Sequence, residues 1–209
     1  MHTLYGSQGS GSAAVEAALE LARLPFRSVR ASTWEADSAQ AELRAVNPLG
    51  QIPTLVLPEG SVLTESAAIL IHLGLEHPAS GLLPADAPAR AQAVRGLVYI
   101  AANCYAAISV IDYPERWLAD ADEAGNERLR KGARARLHHH WTLFADQFGG
   151  ALGRSDRPTA LDLLAAVVSK WSGARAHLRT ERPAVLAKIE ATEQHPAVAA
   201  VFARHWPPR

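Results

Sequence analysis

The stretch from Asn47 to His77, NPLGQIPTLVLPEGSVLTESAAILIHLGLEH, constrains what this chain can fold into more than any other. Asn47-Pro48-Leu49-Gly50 is turn chemistry, because proline fixes φ and glycine tolerates a positive one. Thr54–Leu57 is a short β-rich run, Pro58-Glu59-Gly60 a second turn, and Ser61–Leu63 a second short strand, so the pair predicts a hairpin. Glu65-Ser66 then opens a helix whose apolar residues Ile69, Leu70 and Leu73 recur at helical spacing and which Pro78 closes. Pro53 cannot donate to a β-ladder, so it belongs at the entrance or edge of a strand.

The segments before this device supply the rest of a small sheet. Thr3-Leu4-Tyr5 reads as a strand, and Gly6 to Ser12 (GSQGSGS) as a polar, flexible loop. Ala13 to Arg23 has the propensity and spacing of a helix, with Val15, Leu19 and Ala22 on one side, and Pro25 stops it. Phe26–Arg30 is a second strand, and Ser32–Arg44 a loop with a short helix. Gly6, Gly9 and Gly11 lack the spacing of a dinucleotide fingerprint, and no acidic residue follows the second strand as that fingerprint requires.

Asn-Pro-x-Gly-Gln-Ile-Pro-Thr-Leu followed by a hairpin and Glu-Ser-Ala-Ala-Ile resembles the glutathione-site segment of cytosolic glutathione S-transferases, of the bacterial type with serine rather than cysteine in the first loop. The resemblance implies an α/β N-terminal thioredoxin-like domain (βαβ-ββα, residues 1–78), a linker at 79–88, and an all-α helical domain over 89–209. It implies a cytoplasmic, detoxification-type transferase with glutathione as co-substrate, no cofactor, and a small hydrophobic electrophile as second substrate. It also implies a homodimer. A cis Ile52-Pro53 bond would aim the backbone of Ile52 at the cysteinyl part of the tripeptide, as an added strand would. Gln51 flanks that contact, and the Ser32–Arg44 segment would flank the glycine end of the tripeptide, as it does in the family. Glu65 would pair with the γ-glutamyl amine, and Ser66 at a helix N-terminus would bind the neighbouring carboxylate.

The thiol-activating residue of such relatives is Tyr, Ser or Cys. Free thiols have a pKa near 8.5, and a hydroxyl donating to sulfur beside a helix N-terminus lowers it. Ser10 matches the serine position; Ser12 and Tyr5 are the alternatives, and as plain structure they would cap the helix or pack in the sheet. Gly50 and Ala67 stand where several relatives carry a basic or aromatic contact and an arginine, with Gln51 as the substitute for the first. That departure keeps open a non-catalytic binding or scaffold protein on the same fold.

From Ala89 onward the pattern is helical: one long helix to about Ala119 with a bend near Tyr113-Pro114, then a second from Gly125 to Phe148. Tyr105, Ile108 and Tyr113 on the long helix are expected to line the second-substrate pocket, as their counterparts do in relatives. Thr159 and Asp162 form a capping-box variant, so Asp162 is structural. His195-Pro196 breaks the chain before a last helix to Trp206. His138-His139-His140 cannot face one ion, since consecutive helical residues point about 100° apart, and no metal site is expected. Cys104 reads as a buried thiol, and Trp34, Trp117 and Trp171 as core or interface. The single cysteine rules out an internal disulfide. Lys+Arg and Asp+Glu both number 21, so the usual electrostatic case for nucleic acid is missing. The apolar stretch Leu97–Ile111 is interrupted by Asn103 and Ser109, and no membrane span is expected.

Overall fold

The computed structural model describes residues 1–153 and 157–207. Residues 154–156 and 208–209 of the expected helical domain lie outside the described residues. Strand β1 (His2–Gly6), helix α1 (Ser12–Leu21) and strand β2 (Phe26–Arg30) form a parallel crossover unit, with Tyr5 opposite Val29. Helix α2 (Gln40–Val46) leads to the β3 (Thr54–Val56) and β4 (Val62–Thr64) hairpin, and α3 (Ser66–Glu76) closes the half. The sheet runs β2-β1-β3-β4, with β3 antiparallel to both neighbours. This is the thioredoxin-like layout expected of the sequence. Side chains alternate across a strand, so Leu4 packs with α1 and α3 while Tyr5 turns to the α2 side, against Ala31 and Leu43.

The helical domain contains α4 (Ala87–Tyr99), a π-helical turn (Ile100–Tyr105), α5 (Ala106–Asp112), α6 (Glu123–Phe148), α7 (Ala160–Val168), α8 (Ala174–Glu181), α9 (Pro183–Thr192) and α10 (Pro196–His205). The expected helix to about Ala119 ends instead at Asp112. The reason is Pro114, which disfavours helical geometry at the residue before it, and Tyr113 sits at φ −132°, ψ 57°. Asp122 caps α6 by accepting from the Gly125 N–H at 2.7 Å, so the helix begins at Glu123, two residues before the expected start.

Thr159 and Asp162 form the full capping box: the Thr159 N–H donates to Asp162 Oδ2 at 2.9 Å, and Asp162 also accepts from Gly153 N–H. Helix α7 is buried at every position, as its apolar run requires, and the one charged residue in it, Asp162, is satisfied by the capping box. One apolar cluster joins Leu4, α1 and α3 to α7 and α10, so the two domains share a core. The continuous helical run Ala87–Asp112 is long and apolar enough, by length and composition, to cross a bilayer. Its Leu97, Ile100, Cys104, Ile108 and Ile111 are spent on that core.

Candidate functional site

A cleft of about 830 Å³ lies where the ends of α1 and α3 meet the α4–α5 run. All nine residues expected of the two subsites line it: Ser10, Gln51, Ile52, Pro53, Glu65, Ser66, Tyr105, Ile108 and Tyr113.

The sheet-side wall is fixed by backbone geometry. The Ile52–Pro53 peptide bond is cis. Asn47, 3% exposed, holds the loop before it. Its amide donates to the Gln51 carbonyl at 3.0 Å and to Thr54 Oγ1 at 2.9 Å, while its oxygen accepts from the Leu49 N–H at 3.2 Å. Thr54 Oγ1 donates in turn to the Gln51 carbonyl at 2.8 Å. Glu65 stands at φ +64°, a left-handed conformation that a non-glycine residue adopts at a cost of order 1–3 kcal/mol. Such strain concentrates at functional sites, and here it turns the chain from β4 straight into α3. Among the described residues no hydrogen bond or ion pair engages the Glu65 carboxylate. Ser66 follows as the first residue of α3, and no side chain caps that helix. The N–H groups of its first turn and the Ser66 hydroxyl therefore make a seat for an anion.

Ser10 is buried at the mouth of α1 and lines the cleft. Its hydroxyl donates to the Ser7 carbonyl at 2.7 Å, pairs with Ser12 Oγ at 2.8 Å, and accepts from the Ser12 N–H at 3.2 Å. Ser12 Oγ also reaches the Ser7 carbonyl, at 3.2 Å. Of the two alternatives, Ser12 sits behind Ser10, 2% exposed and outside the cleft lining. Tyr5 is turned away: its hydroxyl donates to Glu42 at 2.7 Å on the α2 side, and burial and that carboxylate both raise the phenol above its ordinary value.

The opposite wall comes from the helical domain. Ala101, Tyr105, Ile108, Ser109, Asp112, Tyr113 and Arg116 descend from the α4–α5 run and its following turn, and Leu164 and Trp171 complete it. The π-helical turn ends on Tyr105, whose ring packs against Trp171 with centroids 5.6 Å apart. A β-carbon on Gly11 would collide with the Tyr105 hydroxyl and lie 3.4 Å from Ser66 Oγ, so glycine is required where the two walls meet. Burial pushes the Tyr105 phenol above its ordinary value, with the Ser66 hydroxyl pulling the other way. It is a neutral donor at physiological pH. Burial likewise raises the Asp112 carboxyl. The Arg116 guanidinium sits 3.9 Å over the Tyr113 ring.

Lining residues that the sequence did not single out include Arg44, Ala101, Ser109, Asp112, Arg116 and Leu164. Arg44 packs its Cγ and Nε within 3.6 Å of where a Gly50 β-carbon would lie, placing a cation beside the position that lacks one. Its position in the last turn of α2, three residues before Asn47, was the available signal. Trp34, 57% exposed, lines the cleft, as does Trp171, which also packs against the core as expected; Trp117 is exposed and does not line it. Neither tryptophan shows a periodicity that could have marked it.

The groups set aside stay outside the cleft lining. Burial pushes the Cys104 thiol up to about 12, so it carries no thiolate at neutral pH. His138 stacks on His177 with centroids 4.7 Å apart, while His140 meets Tyr99. Among the described residues no three His, Cys, Asp or Glu side chains group as metal ligands would.

Residues 12–76 match the family described as "Glutathione S-transferase, N-terminal domain". The chain is 31% identical over 210 residues to the uncharacterised GST-like protein YncG of Escherichia coli K12, covering 98% of each. It is 31% identical over 159 residues to maleylacetoacetate isomerase of Rhizobium meliloti, covering 75% of this chain and 74% of the relative. Among solved structures, a glutathione transferase homologue from Sulfitobacter with bound glutathione superposes with a TM-score of 0.79 at 26% identity, covering 96% of both chains.

Proposed function

The chain belongs to the glutathione S-transferase family, and from that premise we propose that it is a glutathione transferase that activates the tripeptide's thiol for attack on a small, largely apolar electrophile. The observation that carries the reading is the convergence of Ser10, Ile52 and the Glu65–Ser66 pair on one cleft. In it Glu65 takes the γ-glutamyl amine, and Ser66 with the α3 N–H groups takes the adjacent carboxylate. The Ile52 backbone takes the cysteinyl unit in strand fashion, flanked by Gln51. Arg44, beside Gly50, takes the glycine carboxylate. That cation supports glutathione binding over a scaffold role, because it restores the charge the sequence lacks at position 50.

Ser10 acts on the sulfur. Its proton is engaged by the Ser7 carbonyl, so donation to a thiolate requires the hydroxyl to turn, and Ser12 Oγ is within reach to take over that carbonyl. Each unit by which the thiol pKa falls corresponds to about 1.4 kcal/mol of preference for the anion. The thiol proton leaves to solvent. The thiolate then forms the new C–S bond, and the acceptor loses its leaving group or takes a proton from water. The second subsite offers apolar contacts from Ala101, Ile108 and Leu164 and a polar end from Ser109, Asp112 and Arg116. Holding both reactants there adds proximity to activation. As part of the same proposal, the protein works as a cytoplasmic homodimer.

Isothermal titration with glutathione, followed by ultraviolet thiolate absorbance of the complex against pH, tests the reading. Binding with the thiol pKa below that of free glutathione supports it. No heat on titration overturns the binding site, and an unshifted pKa overturns the activation. Sedimentation at micromolar concentration tests the assembly; a mass near 22.4 kDa counts against the dimer.

A further inference from the structure

The last helix of the chain is tied to the loop that carries Ser10. The Gly9 N–H donates to His205 Nδ1 at 3.2 Å, and His205 Nε2 meets Glu16 Oε2 at 2.8 Å. His205 and Glu16 are both buried, at 7% and 9% exposure. Arg204 grips the other Glu16 oxygen through Nε at 3.0 Å and Nη2 at 2.6 Å. The Gln8 side-chain amide donates to the Arg204 carbonyl at 2.8 Å, and the Trp206 indole nitrogen lies 3.6 Å from where a Gly9 β-carbon would sit. Gly9 itself is at φ +69°.

These contacts fix the tautomer. A ring nitrogen that accepts from a backbone N–H carries no proton, so the proton is on Nε2 and is donated to Glu16. Burial opposes charge on Glu16, but the hydrogen bonds from His205 and Arg204 outweigh it and hold the carboxyl below its ordinary value. The carboxylate orients the imidazole, and the imidazole orients the loop.

Resting on the transferase reading above, we propose that His205 is a positioning residue for glutathione activation: with Glu16 setting its tautomer, it holds the Gly9 N–H and so fixes the loop that presents Ser10 to the sulfur. It touches neither reactant. Its effect is preorganisation, which matters because small misplacements of a catalytic group are costly in rate.

Two substitutions separate the contacts. In His205→Asn the amide oxygen occupies the place of Nδ1, keeping the acceptor for Gly9 while giving up Glu16. In His205→Gln the amide occupies the place of Nε2, keeping Glu16 while giving up Gly9. The full-length wild type and both variants are compared by melting temperature, by hydrogen exchange of the backbone amides from Gln8 to Ser10 in glutathione-free protein, and by single-turnover conjugation with 1-chloro-2,4-dinitrobenzene or another aryl halide. The expected result is that His205→Asn retains slow Gly9 exchange and near wild-type turnover. His205→Gln, melting no lower than His205→Asn, exchanges Gly9 faster and loses roughly three- to ten-fold in rate, the worth of one neutral hydrogen bond. Equal exchange and equal rates in the two variants, or losses that track melting temperature, overturn the proposal. If the wild type binds no glutathione, the transferase reading fails and the positioning role for it falls too, while the exchange difference still reports whether the clamp on Gly9 exists.

Discussion

The two walls of the cleft are built on different plans. The sheet-side wall comes from short contiguous stretches, residues 8–11, 33–34, 49–53 and 64–67, joined by Arg44, and presents fixed backbone groups, two helix N-termini and a few side chains. The Asn47 side chain and the turn into α3 at Glu65 lock it before any ligand arrives. The helical wall is assembled from side chains spread between Ala101 and Trp171, brought together by helix packing and a π-helical turn. A wall made of backbone can change little without losing its function. A wall made of side chains can change its specificity residue by residue.

The largest effect expected from breaking this division is at Ser10. Ser10→Ala leaves glutathione affinity near wild type and lowers single-turnover rate roughly ten- to a hundred-fold, because a hydrogen bond to a charged group contributes about 1.5–3 kcal/mol. Full turnover in that variant would falsify the assignment, and Ser12, already within reach of Ser7, becomes the candidate.

Gly11→Ala tests the seam between the walls. The new methyl group displaces the Tyr105 hydroxyl, and overpacking of this kind costs about 1–3 kcal/mol. Calorimetric melting is expected to fall, and KM for the electrophile to rise more than the glutathione Kd. A rise in the glutathione Kd alone would mean that the seam belongs to the sheet-side wall.

Ser66→Ala is expected to weaken glutathione binding by about three- to ten-fold, with the α3 N–H groups carrying the rest, while the bound thiol's pKa stays put. Titration calorimetry and thiolate absorbance on one sample separate these quantities. A shifted thiol pKa would contradict the division of labour between Ser10 and Ser66.

The smallest effect concerns acid stability. Despite burial, His205 and Arg204 hold the Glu16 carboxyl below its ordinary value of 4.5. A depressed folded-state pKa stabilises the fold fully above the unfolded value and loses that contribution as pH falls through the folded value. The wild type is therefore expected to lose stability below about pH 4.5, and Glu16→Gln to flatten that acid limb in denaturant titrations at pH 3 to 6. Parallel acid limbs for the two proteins would count against the Glu16 contribution.

By itself the sequence determined the thioredoxin-like half, because each of its features is local. Pro48, Gly50 and Pro53 dictate turns and a strand entrance, the hairpin alternates, and Glu65-Ser66 opens an apolar-spaced helix. The capping box at Thr159 and Asp162 is legible for the same reason: its partners are three residues apart. Tertiary structure alone decided which hydroxyl faces the cleft. Ser10 was the better match to the serine position and Ser12 and Tyr5 the alternatives, until strand alternation sent Tyr5 to Glu42 and the α1 turn placed Ser12 behind Ser10. It also brought Trp171 to Tyr105, and His205 to Gly9 across 196 residues of chain. Such pairs leave no periodicity or spacing to read. They exist because packing the helices on a shared core brings distant stretches of the chain within hydrogen-bonding distance.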